Sequence, residues 1–195
     1  MAEPRKPRTL PRRMTAERIE NVALHYLSRY ASSSGNLRRV LMRRVERAAA
    51  AHGDDPAAGA HLIEELIAQF LRSGLIDDRA YATQKAASLQ RRGASRFGIR
   101  GKLRQKGVQA DLVVDAVGTL DESGAGAGEF AAACALIRRR RLGPCRPAAM
   151  RGAMRQKDLA ALARAGFGLD IARRALNAPD IATLEAWARG EVDEE

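Results

Sequence analysis

Leu103-Arg104-Gln105-Lys106-Gly107-Val108-Gln109-Ala110-Asp111-Leu112-Val113-Val114-Asp115-Ala116-Val117 reads as the end of one helix and the start of the next. Leu103 closes an apolar stripe and Gly107 supplies a left-handed stop. Val108 is the apolar residue behind the stop. Asp111 offers an N-cap, and Leu112, Val113, Ala116 and Val117 recur at helical spacing. The same pattern returns 59 residues later as Leu162, Gly166-Phe167, Asp170-Ile171 and Ala175-Leu176. A looser echo lies upstream at an offset of 62, where Asn36-Leu37-Arg38 and Leu41 match Gly98-Ile99-Arg100 and Leu103. A constant offset of this kind marks a tandem helical array in which each unit has a small core.

The flanking sequence supplies the remaining helices. Thr15 caps a first helix with Ile19, Val22, Ala23, Tyr26, Leu27 and Tyr30 on its stripe. Ser34-Gly35-Asn36 opens a second, with Leu37, Val40, Leu41 and Val45 inward. Pro56 opens a third that buries Leu62, Ile63, Leu66, Ile67, Phe70 and Leu71, and Gly74 stops it. Asp77 or Asp78 caps a fourth, with Tyr81, Ala82, Ala86 and Leu89 inward and Gly93 at its end. Ile99 and Leu103 mark a fifth, and the sixth begins at Asp111. The seventh starts at Glu129, with Phe130, Ala133, Cys134 and Ile137. The eighth runs from Pro147 to Ala165 with Met150, Met154, Leu159 and Leu162, the ninth begins at Asp170, and a short last helix holds Ile181, Leu184 and Trp187. No segment alternates like a strand. The expectation is an all-α protein of three tandem three-helix repeats forming an elongated, curved array. Its parts are a flexible basic arm over 1–14, repeats over 15–76 and 77–122, a Gly-rich linker over 123–128, a third repeat over 129–178 and an acidic tail over 179–195.

Composition bounds the function. The 195 residues carry a net charge of +11, with 34 Lys and Arg against 23 Asp and Glu, which points to a polyanionic partner. The charge is uneven: +8 over residues 1–50, 0 over 51–127, +8 over 128–178 and −5 over 179–195. The neutral middle is itself polarised, because nine basic residues and no acid lie between Arg79 and Ala110. Aromatic residues are 4%, so Ala, Leu, Ile and Val must build the core. The longest apolar run, Phe130–Ile137, has eight residues, far short of the ~20 of a membrane span. No secretory signal opens the chain, and two cysteines, Cys134 and Cys145, are too few for a disulfide framework. The chain is expected to be cytoplasmic.

These residues resemble the RecX family, bacterial regulators of the RecA recombinase. The resemblance is carried by Gly74-Leu75-Ile76-Asp77-Asp78-Arg79-Ala80-Tyr81-Ala82, Arg92-Gly93, Ile99 with Leu103, and Lys106-Gly107-Val108. Ala165-Gly166-Phe167, Asp170-Ile171 and Ala175-Leu176 extend it, as does Ala23-Leu24 with Tyr26-Leu27, so that it covers about residues 15–178. The chain departs from the family pattern at Tyr81, usually Phe, and at Lys102, where an acid is common. Gly101 inside a helix and an Ala/Gly/Asp insertion over 46–60 are further departures. The resemblance implies tandem three-helix repeats that lie in the groove of the RecA–single-stranded DNA filament. It also implies inhibition of strand exchange, of DNA-dependent ATP hydrolysis and of LexA cleavage.

No catalytic, cofactor or metal site is expected. His25, His52 and His61 lack partners at metal-ligand spacing, Gly124–Gly128 lacks the Lys and Ser/Thr of a phosphate-binding loop, and Asp77-Asp78 is placed to cap a helix. The candidate partner-binding residues are Arg91, Arg92, Arg96, Arg100, Lys102, Arg104, Lys106 and the run Arg138, Arg139, Arg140 and Arg141. Spacing puts Arg96, Arg100 and Lys106 outside a helix whose Ile99 and Leu103 face inward. Four adjacent arginines at a helix end repel one another, and an anionic partner would relieve that. Aromatics do not interleave with these cations, so backbone phosphate and acidic protein surface are better partners than stacked bases. The expected partners are the RecA filament and single-stranded DNA, met directly or through the filament, with the chain a monomer away from membranes. The alternative is a DNA-binding protein of helix-turn-helix type acting through its basic helices.

Overall fold

The computed structural model describes residues 10–120 and 127–191, which hold helices and turns and no strand. They fall into two compact units, one up to Asp78 and one from Arg79 onward. Most of the basic arm, most of the Gly-rich linker and the last four residues lie outside the described residues. Among those described, no helix is long and apolar enough to cross a membrane.

In the first unit, α1 (Ala16–Leu27), α2 (Ser34–His52) and α3 (Pro56–Arg72) each begin at a residue whose side chain accepts a backbone N–H. Thr15 takes the Arg18 amide at 3.3 Å, Ser33 that of Asn36 at 3.2 Å and Asp55 that of Ala57 at 2.8 Å. Ile19, Ala23, Leu37, Leu41, Val45, Ile63, Ile67, Phe70 and Ile76 form the core between them. Two expected core residues are exposed. Tyr30 lies beyond the end of α1, where the helical rhythm no longer holds its side chain inward. Leu71 neighbours Phe70 on α3, and successive helical residues point 100° apart, so one faces the core and the other leaves it. The arm expected over 1–14 is fastened at its end. Met14 packs on the core, His52 Nε2 donates to the Pro11 carbonyl at 2.7 Å, and Arg13 meets Asp54 at 3.3 Å.

The second unit holds two helical cores. α4 (Asp78–Arg91), α5 (Arg96–Gln105) and α6 (Ala110–Gly118) enclose Ala82, Ala86, Ile99, Leu103, Val113, Ala116 and Val117. α7 (Ala127–Arg140), α8 (Ala148–Arg164), α9 (Leu169–Leu176) and α10 (Ile181–Arg189) enclose Phe130, Ala133, Leu136, Ile137, Leu162, Ala175 and Leu184. α7 starts at Ala127, inside the stretch expected as linker, and Glu129 in its first turn suits the positive end of the helix dipole. α10 occupies part of the stretch expected as an acidic tail, and Leu184 seals it to the core. Met150, expected as an apolar contact of α8, is exposed.

The 59-residue repeat is visible as hydrogen bonds. After α5, the Val108 amide donates to the Leu103 carbonyl at 3.2 Å and Gly107 to Arg104 at 2.9 Å. After α8, Phe167 donates to Leu162 at 3.2 Å and Gly166 to Ala163 at 2.8 Å. Both glycines are left-handed, with φ of 73° and 87°, a conformation that costs other L-residues energy. The expected aspartate caps are displaced by the same amount in both copies. Asp111 and Asp170 sit at the second helical position, behind Gln109 and Gly168, which make no side-chain cap bond. There the carboxylates favour the helix dipole rather than closing the cap.

Candidate nucleic-acid and partner interface

The expected cations divide into two groups once folded. On α5, Ile99 and Leu103 are fully buried, and Arg100, Lys102 and Arg104 project to solvent on the far side. Lys106 caps the helix and is exposed. The side chains of Arg91, Arg100, Lys102 and Arg104 make no ion pair or hydrogen bond among the described residues. Three of them share one short helix, where Arg100 and Arg104, four residues apart, repel, and Arg100 also feels the Glu129 carboxylate.

Arg96 belongs to a different class. It is half-buried, and Glu129 of α7 accepts its backbone amide at 3.0 and 3.2 Å while lying 3.7 Å from its guanidinium. Burial pushes the Glu129 carboxyl above its ordinary value, and the Arg96 amide and charge recover only part of that. Arg96 therefore joins α5 to α7. The two expected basic clusters also meet, because the Arg139 guanidinium donates to the Arg92 carbonyl at the end of α4. Arg138 is paired with Glu185 of α10 at 3.1 Å. Arg140 and Arg141 are exposed beside them.

Sequence reading assigned one polar position to the wrong helix and overlooked two further features. Asp78 is the first residue of α4, yet its carboxylate serves α2, accepting the Ser34 amide at 2.7 Å and the Ser34 hydroxyl at 2.5 Å. It caps a helix 44 residues upstream, and only the tertiary fold reveals which one. Asp158 is buried in α8 and accepts the Gly143 amide at 2.8 Å and two donors of Arg146 at 2.7 and 2.8 Å. Burial alone would raise this carboxyl; the Arg146 fork and the Gly143 amide outweigh it and hold the group below its ordinary value. The third is a cleft of about 720 Å³ along α1, lined by Arg12, Arg18, Arg29 and Arg44 and by Tyr26 and Tyr30. Positions 18, 22, 26 and 30 repeat every four residues, a signal that the apolar stripe masked.

Nucleophilic chemistry finds little support in the thiols. Burial pushes Cys134 up to about 12 and raises Cys145, so both are protonated at neutral pH.

Comparison with known proteins agrees with this architecture. A family profile described as RecX, second three-helix domain, matches residues 77–117, the span of α4 to α6. A protein named Regulatory protein RecX from Myxococcus xanthus is 42% identical over 168 residues, covering 86% of this chain and 88% of its own. Proteins of the same name from Halorhodospira halophila and Agrobacterium fabrum are 33% and 30% identical, over 85% and 80% of this chain and 90% and 80% of theirs. No solved structure matches the chain. Identity at this level along most of the length, on an all-α fold of short helices, places the chain in the RecX family of regulatory proteins.

Proposed function

We propose that this chain binds the RecA–single-stranded DNA filament and inhibits RecA's recombinase, ATP-hydrolysing and coprotease activities. The name of its relatives points to RecA, and the unpaired cations of α5 supply a surface for a polyanionic filament. It acts in the cytoplasm, in homologous recombination, DNA repair and the SOS response, as a monomer with no catalysis or cofactor of its own. Its three helical repeats, residues 15–76, 77–122 and 129–178, each bind weakly and gain avidity by engaging one polymer together. The binding residues are Arg91, Arg92, Arg100, Lys102, Arg104, Lys106, Arg139, Arg140 and Arg141, with Arg96 and Arg138 at the margin because each meets an acid of the same unit.

The observation that carries this reading is the set Arg100, Lys102 and Arg104, presented outward by two buried residues and held in no hydrogen bond or ion pair among the described residues. Its test is the triple change Arg100→Glu, Lys102→Glu and Arg104→Glu. Arg96 is left intact because its loss would disturb Glu129. Filament sedimentation should show affinity falling by about tenfold or more, since like charges across an interface cost several kcal/mol, with helical circular dichroism unchanged. Wild-type affinity in that variant refutes the assignment, and tight duplex binding with no RecA contact favours a DNA-binding module of helix-turn-helix type.

A further inference from the structure

The first unit carries a second cationic surface, built differently from the first. Its cleft of about 720 Å³ lies in the size range of ligand sites. Arg12 and Arg13 line it ahead of α1, α1 and the turn after it supply most of the lining, and Arg44 of α2 completes it. Arg12, Arg18, Arg29 and Arg44 line it, and their side chains make no ion pair or hydrogen bond among the described residues. Arg13 also lines it but is paired with Asp54, and Glu17 is the acid in the lining. Cations therefore outnumber acids there even after Arg13 is set aside.

Cations alone would describe a phosphate surface. The rings add a second element. Tyr26 and Tyr30 meet at 5.2 Å between centroids with planes tilted by 41°. The Tyr26 hydroxyl accepts from Asn36 Nδ2 at 3.0 Å, which holds that ring in place. Tyr30 is 57% exposed, against the usual preference of an aromatic ring for burial. A backed, exposed ring among unpaired arginines is the arrangement that binds an unpaired base on its face and the adjoining phosphates by charge. A lipid headgroup or an acidic peptide would use the arginines and leave the ring idle.

We propose that the α1 cleft is a binding site for single-stranded nucleic acid, with one base stacked on Tyr30 and the neighbouring phosphates held by Arg12, Arg18, Arg29 and Arg44. The site works without RecA, and so stands or falls apart from the filament reading above. Position 30 lies outside α1 and exposed, so its replacement leaves the core alone.

The test uses the full chain without RecA and two fluorescein-labelled probes of about 20 nucleotides, a length that exceeds one site. One is oligo(dT) and the other an abasic deoxyribose-phosphate strand. Fluorescence anisotropy should show oligo(dT) bound about tenfold more tightly than the abasic strand, as stacking energies imply. Tyr30→Ala should erase that preference and Tyr30→Phe should keep it. Arg29→Glu with Arg44→Glu should weaken both probes and flatten the dependence of log K on log salt by about 0.7 for each phosphate no longer neutralised. The Arg100, Lys102 and Arg104 triple should retain the preference. Equal affinity for the two probes, a preference that survives Tyr30→Ala, or no binding of either probe overturns the proposal.

Discussion

Gly93, which ends α4, lies against α7 so closely that a Cβ would sit 2.7 Å from the Leu136 amide nitrogen and 3.0 Å from the Ala132 carbonyl oxygen. Those atoms belong to helix backbone and cannot turn aside. The residue is also left-handed, with φ of 79°. Gly93→Ala should therefore cost more than about 2 kcal/mol, combining overpacking with an unfavourable φ. Arg141 shows the converse. It ends α7 with φ of 53°, and the Leu142 amide bonds the Ile137 carbonyl at 3.0 Å, as at the glycine stops elsewhere. An arginine in that conformation is strained, and Arg141→Gly should stabilise the chain by about 0.5–1 kcal/mol. Urea midpoints of the two variants should move in opposite directions. A Gly93→Ala midpoint at or above the wild-type value would contradict the close approach.

At the level of elements, the turn between α7 and α8 is held by charge. Asp158, Arg146 and the Gly143 amide close the 3-10 turn Gly143–Cys145 onto α8. The Asp158 carboxyl ionises more readily folded than unfolded, so its contribution is complete above the ordinary carboxylate range and is lost as pH falls through the lowered folded value. Asp158→Asn should cost about 3 kcal/mol at neutral pH, because it removes one partner of a buried pair. The gap from wild type should narrow below about pH 4, the usual aspartate value. A gap that stays constant on acidification, followed by thermal unfolding, counts against a charged Asp158. This network was not legible in the sequence, since Asp158 and Arg146 lie in different elements and nothing local pairs them. The helices were legible, because Thr15 and Pro56 announce starts and Gly74, Gly107 and Gly166 announce stops through local backbone chemistry. The aspartate caps at 111 and 170 were misplaced because a carboxylate favours every position of a first turn, so composition alone does not fix which one it takes.

For the molecule as a whole, charge is the feature on which the proposed function rests. The candidate site was half legible: outward cations follow from the spacing of Ile99 and Leu103, and the structure keeps Arg100, Lys102 and Arg104 outward. Arg96 and Arg138 looked equivalent in sequence, but the fold brings Glu129 and Glu185 to them from other helices. The α1 cleft escaped notice because Tyr26 and Tyr30 continue an apolar stripe, and only the end of α1 at Leu27 turns Tyr30 outward. A net charge of +11 on a chain of the RecX family suits an extended anionic target. The most direct measurement is the rate of ATP hydrolysis by RecA on single-stranded DNA as this protein is added. A progressive fall in rate at amounts well below one protein per RecA protomer is the predicted result, and an unchanged rate at micromolar protein would contradict regulation of RecA through its filament.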